Sequence, residues 1–308
     1  MTNPLDALAT AIAKEHLCDC CRHEAVADLT DEVERGIEAR IRVAPTPHVH
    51  KAHFEALTKA LERHERRYIK MLRGVWKAEE RIVLANLKKL KRAWRQKDKV
   101  DSVLYPKAQF TEQLADESTA LLIDLLDDES ARIIGQYDFD ITFDMDDPKV
   151  SKWLKKYPVK FAKDLEAVSF AKLKKLLIKM LDEGVGIDEM ARRIRKQFED
   201  WSKYRAEMVA RSETIRASNR AALETYKQSG VVERKIWVAD IGARTCGFCA
   251  ELDGKTISLE TNYFDKGDEM VLGEGENQQT LKFDYEDIEA PPAHVLCRCS
   301  VAAYFEDV

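Results

Sequence analysis

Turn-forming residues are scarce in this chain, which holds only 12 Gly and 8 Pro among 308 residues. Few chain reversals are therefore expected. The 34% of charged residues, beside abundant Leu and Ala, predict long amphipathic helices and a mainly α fold. No apolar run approaches the roughly 18 residues needed to cross a bilayer, and Met1 to Ala13 lacks the basic start and apolar stretch of a secretion signal. The expectation is a soluble protein made in a reducing cytoplasm, with no membrane partner. With 45% apolar residues the chain is neither a disulfide-stapled miniprotein nor a disordered one. Cysteine is sparse but bunched, at Cys18, Cys20, Cys21 and then Cys246, Cys249, Cys297, Cys299. In a non-secreted chain such bunching points to metal rather than disulfides.

The net charge of −5 conceals segregation along the chain. Lys59 to Lys99 carries fifteen Lys and Arg against five acids, Glu112 to Asp147 twelve acids against one Arg, and Glu260 to Val308 twelve acids against three bases. Such blocks are surfaces for partners or for each other.

Four regions follow from the pattern. Residues 1–52 form an N-terminal appendage ending near Pro45 and Pro47. Residues 53–147 form a region of long antiparallel helices: Ile69, Leu72, Trp76, Val83, Leu87, Leu90 and Trp94 mark one face of a helix from about His53 to Gln96, and Leu114 to Ile134 mark a second. Tyr137 to Phe143 alternates apolar and acidic residues as a short strand or extended linker does. Residues 148–230 are a helical part: a short helix around Trp153, a helix from Phe161 to Leu181 closed at Gly184, another from Ile187 to Phe198, and a third from Lys203 to a cap at Gly230. In residues 231–308, a small lobe of α+β character, strands are expected at Lys235–Ala239, Lys255–Ser258 and Cys299–Phe305. A loop rich in Gly, Asp and Glu is expected from Asp265 to Gln279.

The lobe carries Cys246-Gly-Phe-Cys249 and, with 47 residues between Cys249 and Cys297, His294-Val-Leu-Cys297-Arg-Cys299. A C-x2-C turn aims two thiolates at one point, and a second pair from far along the chain completes a tetrahedron of the kind that holds structural Zn2+. Five donors compete for four places. Cys246, Cys249 and Cys297 are joined by His294 or by Cys299, which shares a face with Cys297 in an extended segment. A lobe with so little core of its own gains folding free energy from the metal, of order 10 kcal/mol. A catalytic zinc deaminase is not indicated, because no His-x-Glu precedes Cys246.

In order and spacing, Ala210-Arg211-Ser212-Glu213-Thr214, then Tyr226 and Gly230, Arg244-Thr245-Cys246-x-x-Cys249, Leu252-Asp253-Gly254-Lys255 and Pro291-Pro292-x-His294-x-x-Cys297-Arg298-Cys299 resemble the phage head morphogenesis proteins of the Mu protein F-like family. The resemblance spans roughly Phe161 to Phe305. It departs at Ser212, where Thr is more usual, and in the acidic insertion before Pro291. What it implies is a minor head protein in the virion, at the head interior or portal vertex of a tailed phage, assembled in the host cytoplasm. Its partners would be the portal protein, with the major capsid or scaffold protein and phage DNA as further candidates. The alternative is a zinc-stabilised, non-specific nucleic-acid-binding protein of phage origin without a virion role.

Three other clusters have plainer readings beside the functional ones. Lys88, Lys89, Lys91, Arg92 and Arg95 around Trp94 suit DNA or partner contact by counterion release, against a solvated helix face balanced by the acidic segment. His16, Cys18, Cys20, Cys21 and His23 read as a surface cluster rather than a second metal site. Arg211, Ser212 and Glu213 are contiguous on a helix and point about 100° apart, so they do not converge on a substrate. No enzymatic activity is expected.

Overall fold

The computed structural model describes residues 47–89, 97–242 and 245–305. They are mainly helical, with a small antiparallel sheet region toward the C-terminus. They form two compact units. The first takes the described residues of Met1–Arg63 with Asp124–Val150 and Arg211–Val308, and the second takes His64–Ile123 and Ser151–Ala210.

Helix α1 (Pro47–Lys89) begins before the expected His53, since Pro47 is well tolerated in a first turn. Its expected end at Gln96 lies outside the described residues. Helix α2 (Lys107–Tyr137) closes where Asp138 turns left-handed (φ 52) and Phe139 N–H returns to Ile134 O at 3.1 Å. From there to Asp147 the chain is linker, not strand.

Helix α3 (Pro148–Asp182) starts on an Asp147 cap, whose Oδ1 accepts from Lys149 N at 2.7 Å. Two helices were expected here, around Trp153 and from Phe161, and the structure has one. Pro158 removes a helical N–H. It is itself buried, however, in step with buried Phe161, Leu165, Leu173 and Leu177, so the packing of that face carries the helix across it. Helix α4 (Ile187–Asp200) buries Met190, Ile194 and Phe198. It passes without a break through a π turn, Trp201–Arg205, into helix α5 (Ala206–Ser229), which ends at the expected left-handed Gly230 (φ 67).

Strands β1 (Arg234–Val238), β2 (Thr256–Ser258) and β5 (Ser300–Tyr304) form an antiparallel sheet in the order β2-β1-β5, with Arg234 opposite both Ser258 and Tyr304. Between β2 and β5 the expected loop folds instead into a hairpin of β3 (Glu269–Leu272) and β4 (Gln279–Lys282). Its turn requires glycine at 273: φ is 73, and a Cβ there would sit 2.7 Å from Asn277 O. Trp237, Phe248, Leu252, Tyr263, Phe283 and Ile288 form the lobe's core with the cysteines. A second cluster, including Ile133, Leu223, Tyr226 and Val301, packs α2 and α5 on the sheet.

Asn219 ties α5 to β5. Its side-chain amide donates to Ile215 O (3.0 Å) and Cys299 O (3.1 Å), and its oxygen accepts from Val301 N (2.7 Å), all buried. Asn219→Ala strands two buried backbone groups and should cost about 2–3 kcal/mol. Replacing the half-buried Gln228, which bonds both ways to the Asp144 backbone, should cost less, about 1 kcal/mol for Gln228→Ala. Chemical denaturation of both variants against wild type checks the difference.

Candidate metal centre

After β1, the chain enters helix α6 (Gly247–Leu252). Cys246 is its N-cap, and the Cys246 Sγ accepts from Cys249 N at 3.4 Å. A cysteine at the cap and another one turn later bring both sulfurs to one side. The second donor pair sits on a tight loop in which Cys297 N returns to His294 O at 3.2 Å. Leu296 lies in the left-handed region (φ 63), a conformation that costs a branched residue roughly 1–2 kcal/mol. Its N–H is held by Ser212 Oγ of α5 at 3.4 Å. Backbone strain is thus stored at the point where the loop aims His294 and Cys297.

The donors converge. His294 Nε2 lies 3.0 Å from Cys246 Sγ and 3.1 Å from Cys249 Sγ, and Cys249 Sγ lies 3.7 Å from Cys297 Sγ. Two overlapping groups result, Cys246–Cys249–His294 and Cys249–Cys297–Cys299, each with its ligand atoms within 4.8 Å of one another, and Cys249 belongs to both. Sulfurs sharing a tetrahedral zinc at ~2.3 Å stand about 3.8 Å apart, close to the Cys249–Cys297 separation. The imidazole is oriented for the same task. Its Nδ1 lies 2.8 Å from Val295 O, and a carbonyl only accepts, so Nδ1 carries a proton and Nε2 faces the thiols.

Protons are shared unevenly across the cluster. The hydrogen bond from Cys249 holds Cys246 down at about 4, and the same contact, with that to Cys297, drives Cys249 upward. Burial pushes Cys297 up, but bonds from Cys249 and Cys299 hold it well below the ordinary thiol range. Burial works against the His294 cation as well. The Cys246 thiolate and the charge on Cys297 nonetheless raise the imidazole to about 9. A bound cation takes the place of these protons, so its affinity falls as pH falls.

All five donors named from the sequence are therefore brought together. Lys88 and Lys89 are exposed at the end of α1, whereas Lys91, Arg92 and Arg95 lie outside the described residues, as do Cys18, Cys20 and Cys21. Sequence reasoning missed Ser212 and the Val295 carbonyl as supports of the donor loop. Nothing local marks Ser212, whose partner is 84 residues away. Arg216, on the same helix, pairs with Glu286, and Arg220 pairs with Glu224 and Glu289.

Cys249 belongs to both donor groups, so Cys249→Ser should weaken Co2+ binding at least 100-fold, and Cys299→Ser less than tenfold. Thiolate-to-cobalt absorption during titration of each variant separates the two.

The chain's similarities to known proteins fall on this region. The model of the family described as Phage Mu protein F like protein matches residues 171–302, a span that holds α4, α5, all five donors and both donor-bearing loops. No curated protein and no solved structure matches the chain. Residues 171–302 are thus similar to the Mu protein F-like family, the phage head morphogenesis family that the motifs of this chain resemble.

Proposed function

We propose that the protein is a minor head protein of a tailed bacteriophage, associated with the portal vertex and acting in head assembly, DNA packaging or genome delivery. The observation that carries this reading is the family match over the span that folds around the cysteine–histidine cluster. The cluster is a structural Zn2+ site: Cys246, Cys249, Cys297 and His294 hold the ion, and Cys299 is a buried neighbour. Three thiolates and an imidazole fixed by its own hydrogen bond suit zinc. Four protein ligands leave no open position, so the ion supplies folding energy rather than chemistry. The protein has no catalytic role, and the portal protein is its main partner in the virion. Among the described residues no helix is long and apolar enough to cross a membrane.

Protein purified without added metal should contain about one equivalent of zinc. Cys249→Ser should leave the lobe unfolded and heads lacking the protein, while Glu213→Gln should enter heads normally and give infectious particles. Elemental analysis, co-purification with the portal protein and particle counting check these outcomes. A metal-free, folded lobe would overturn the zinc assignment. Infectivity lost in Glu213→Gln heads of normal composition would point to an enzyme instead.

A second reading, contact with phage DNA, is favoured by α3 more than by the basic end of α1. Pro148 to Lys163 carries six Lys and no acid. Lys152, Lys155, Lys156 and Lys163 are exposed and make no ion pair among the described residues. Trp153 and Tyr157 stack at 5.0 Å on the same helix. Replacing those four lysines with Gln should reduce the slope of log affinity against log salt by roughly 3 to 4 on duplex DNA. Unchanged retention at every salt concentration would mark the stretch as a solvated face.

A further inference from the structure

Helix α5 carries a polar stripe of which a structural metal site uses only part. Ser212, Arg216, Asn219 and Arg220 follow one another at steps of 4, 3 and 1, which places them within about 100° of one helix face. All four reach the same stretch of chain. Ser212 Oγ holds Leu296 N at 3.4 Å, and Asn219 holds Cys299 O at 3.1 Å and Val301 N at 2.7 Å. Arg216 pairs with Glu286, and Arg220 pairs with Glu289 at 2.8 Å while also holding Glu224 of its own helix. The acidic strap Asp284–Glu289 is thus fastened to α5 at two points.

The strap is stiff. Between its fastenings Ile288 is buried, with its N–H on Phe264 O and its carbonyl on Tyr263 N, both at 2.8 Å. The Tyr285 hydroxyl donates to Ala293 O, the carbonyl that leads into His294. Pro291 and Pro292, whose rings fix φ, occupy most of the chain between Glu289 and Ala293. A displacement of Glu286 or Glu289 therefore reaches His294 with little slack. Cys299 is supported differently, by the Asn219 bond to its carbonyl and by the β1–β5 ladder, which begins at Ser300. Those supports do not pass through the strap. The two donors that compete for the fourth place in the metal centre hang on different parts of the fold.

We propose that Arg216 and Arg220 are positioning residues for the metal centre, clamping the strap so that His294 rather than Cys299 fills the fourth place. The proposal rests on the zinc reading and adds which donor wins and why. Both clamp pairs are partly buried: the side chains of Arg216 and Glu286 are 26% and 27% exposed, those of Arg220 and Glu289 18% and 43%. Charge-assisted bonds so placed hold better than pairs on the open surface. Loosening them frees the imidazole but leaves the Cys299 thiol where it is, so the ligand set shifts toward four sulfurs. The clamp also spares the buried lobe the additional negative charge of a fourth thiolate.

Cobalt spectroscopy of the full-length protein tests the choice, because thiolate-to-cobalt absorption grows with the number of thiolates bound. Wild type should show three. Glu286→Gln combined with Glu289→Gln leaves Arg220 its Glu224 partner, and should raise the absorption by about a third as a fourth thiolate enters. Glu286→Gln alone, a milder change, should move it the same way, and the swapped pair Arg216→Glu with Glu286→Arg should return it to the wild-type level. In the doubly substituted protein, Cys299→Ser should weaken Co2+ binding about tenfold more than it does in wild type. Unaltered absorption in both glutamine variants, or an equal cost of Cys299→Ser in the two backgrounds, overturns the proposal and leaves the zinc site standing. A wild type already bound through four thiolates overturns it too. A wild type that binds no cobalt overturns the zinc reading, and the clamp with it.

Discussion

The convergence of four cysteines and His294, joined through Cys249, which belongs to both donor groups, is the constraint around which the C-terminal lobe packs. The lobe's core is small and built partly from the cysteines themselves, so the donor loops cannot be separated from the packing. The neighbouring elements serve this convergence. β1 leads into the Cys246 turn, β5 starts directly after Cys299, and α5 fixes the second donor loop through Ser212 and its exit through Asn219. Within the motif string on α5, Ser212 serves the donor loop and Thr214 bonds back to Arg211 O at 3.1 Å.

Much of this was legible in the sequence because it rests on local rules. Helical periodicity located α1, α2 and α4, the Gly230 cap ended α5, and C-x2-C with His-x2-Cys named the donors. The remainder depended on distant packing. Pro158 reads as a helix end unless one knows that its ring is buried in line with Phe161 and Leu165. The π turn has no sequence signature, since an extra residue per turn is tolerated for what it packs, not for what it is. β3 and β4 are only four residues each, with acids and glycines around them, and composition made that stretch a loop. Glu79 is one of five acids in the basic stretch Lys59 to Lys99, and its full burial is set by packing that no local pattern marks.

Charge therefore has two roles in this molecule. Most pairs are exposed, such as Arg63 with Asp128 or Lys174 with Asp101, and each contributes little. They account for part of the segregation along the chain without making it a stability device. The pair of Arg220 with buried Glu224 is different: removal of Arg220 leaves a buried carboxylate without compensation.

The β3–β4 hairpin lies in sequence between the two donor pairs, so everything from Cys249 to His294 is, in topological terms, a loop already closed at its base. The entropy of closing such a loop grows only with the logarithm of its length, about 0.6 kcal/mol per doubling. The tip around Glu274 is exposed, while the inner residues Leu272 and Leu281 anchor the hairpin to the core. Extra sequence placed at the tip therefore leaves the donor geometry alone, making it the natural place for this lobe to carry a passenger peptide or to vary between related chains.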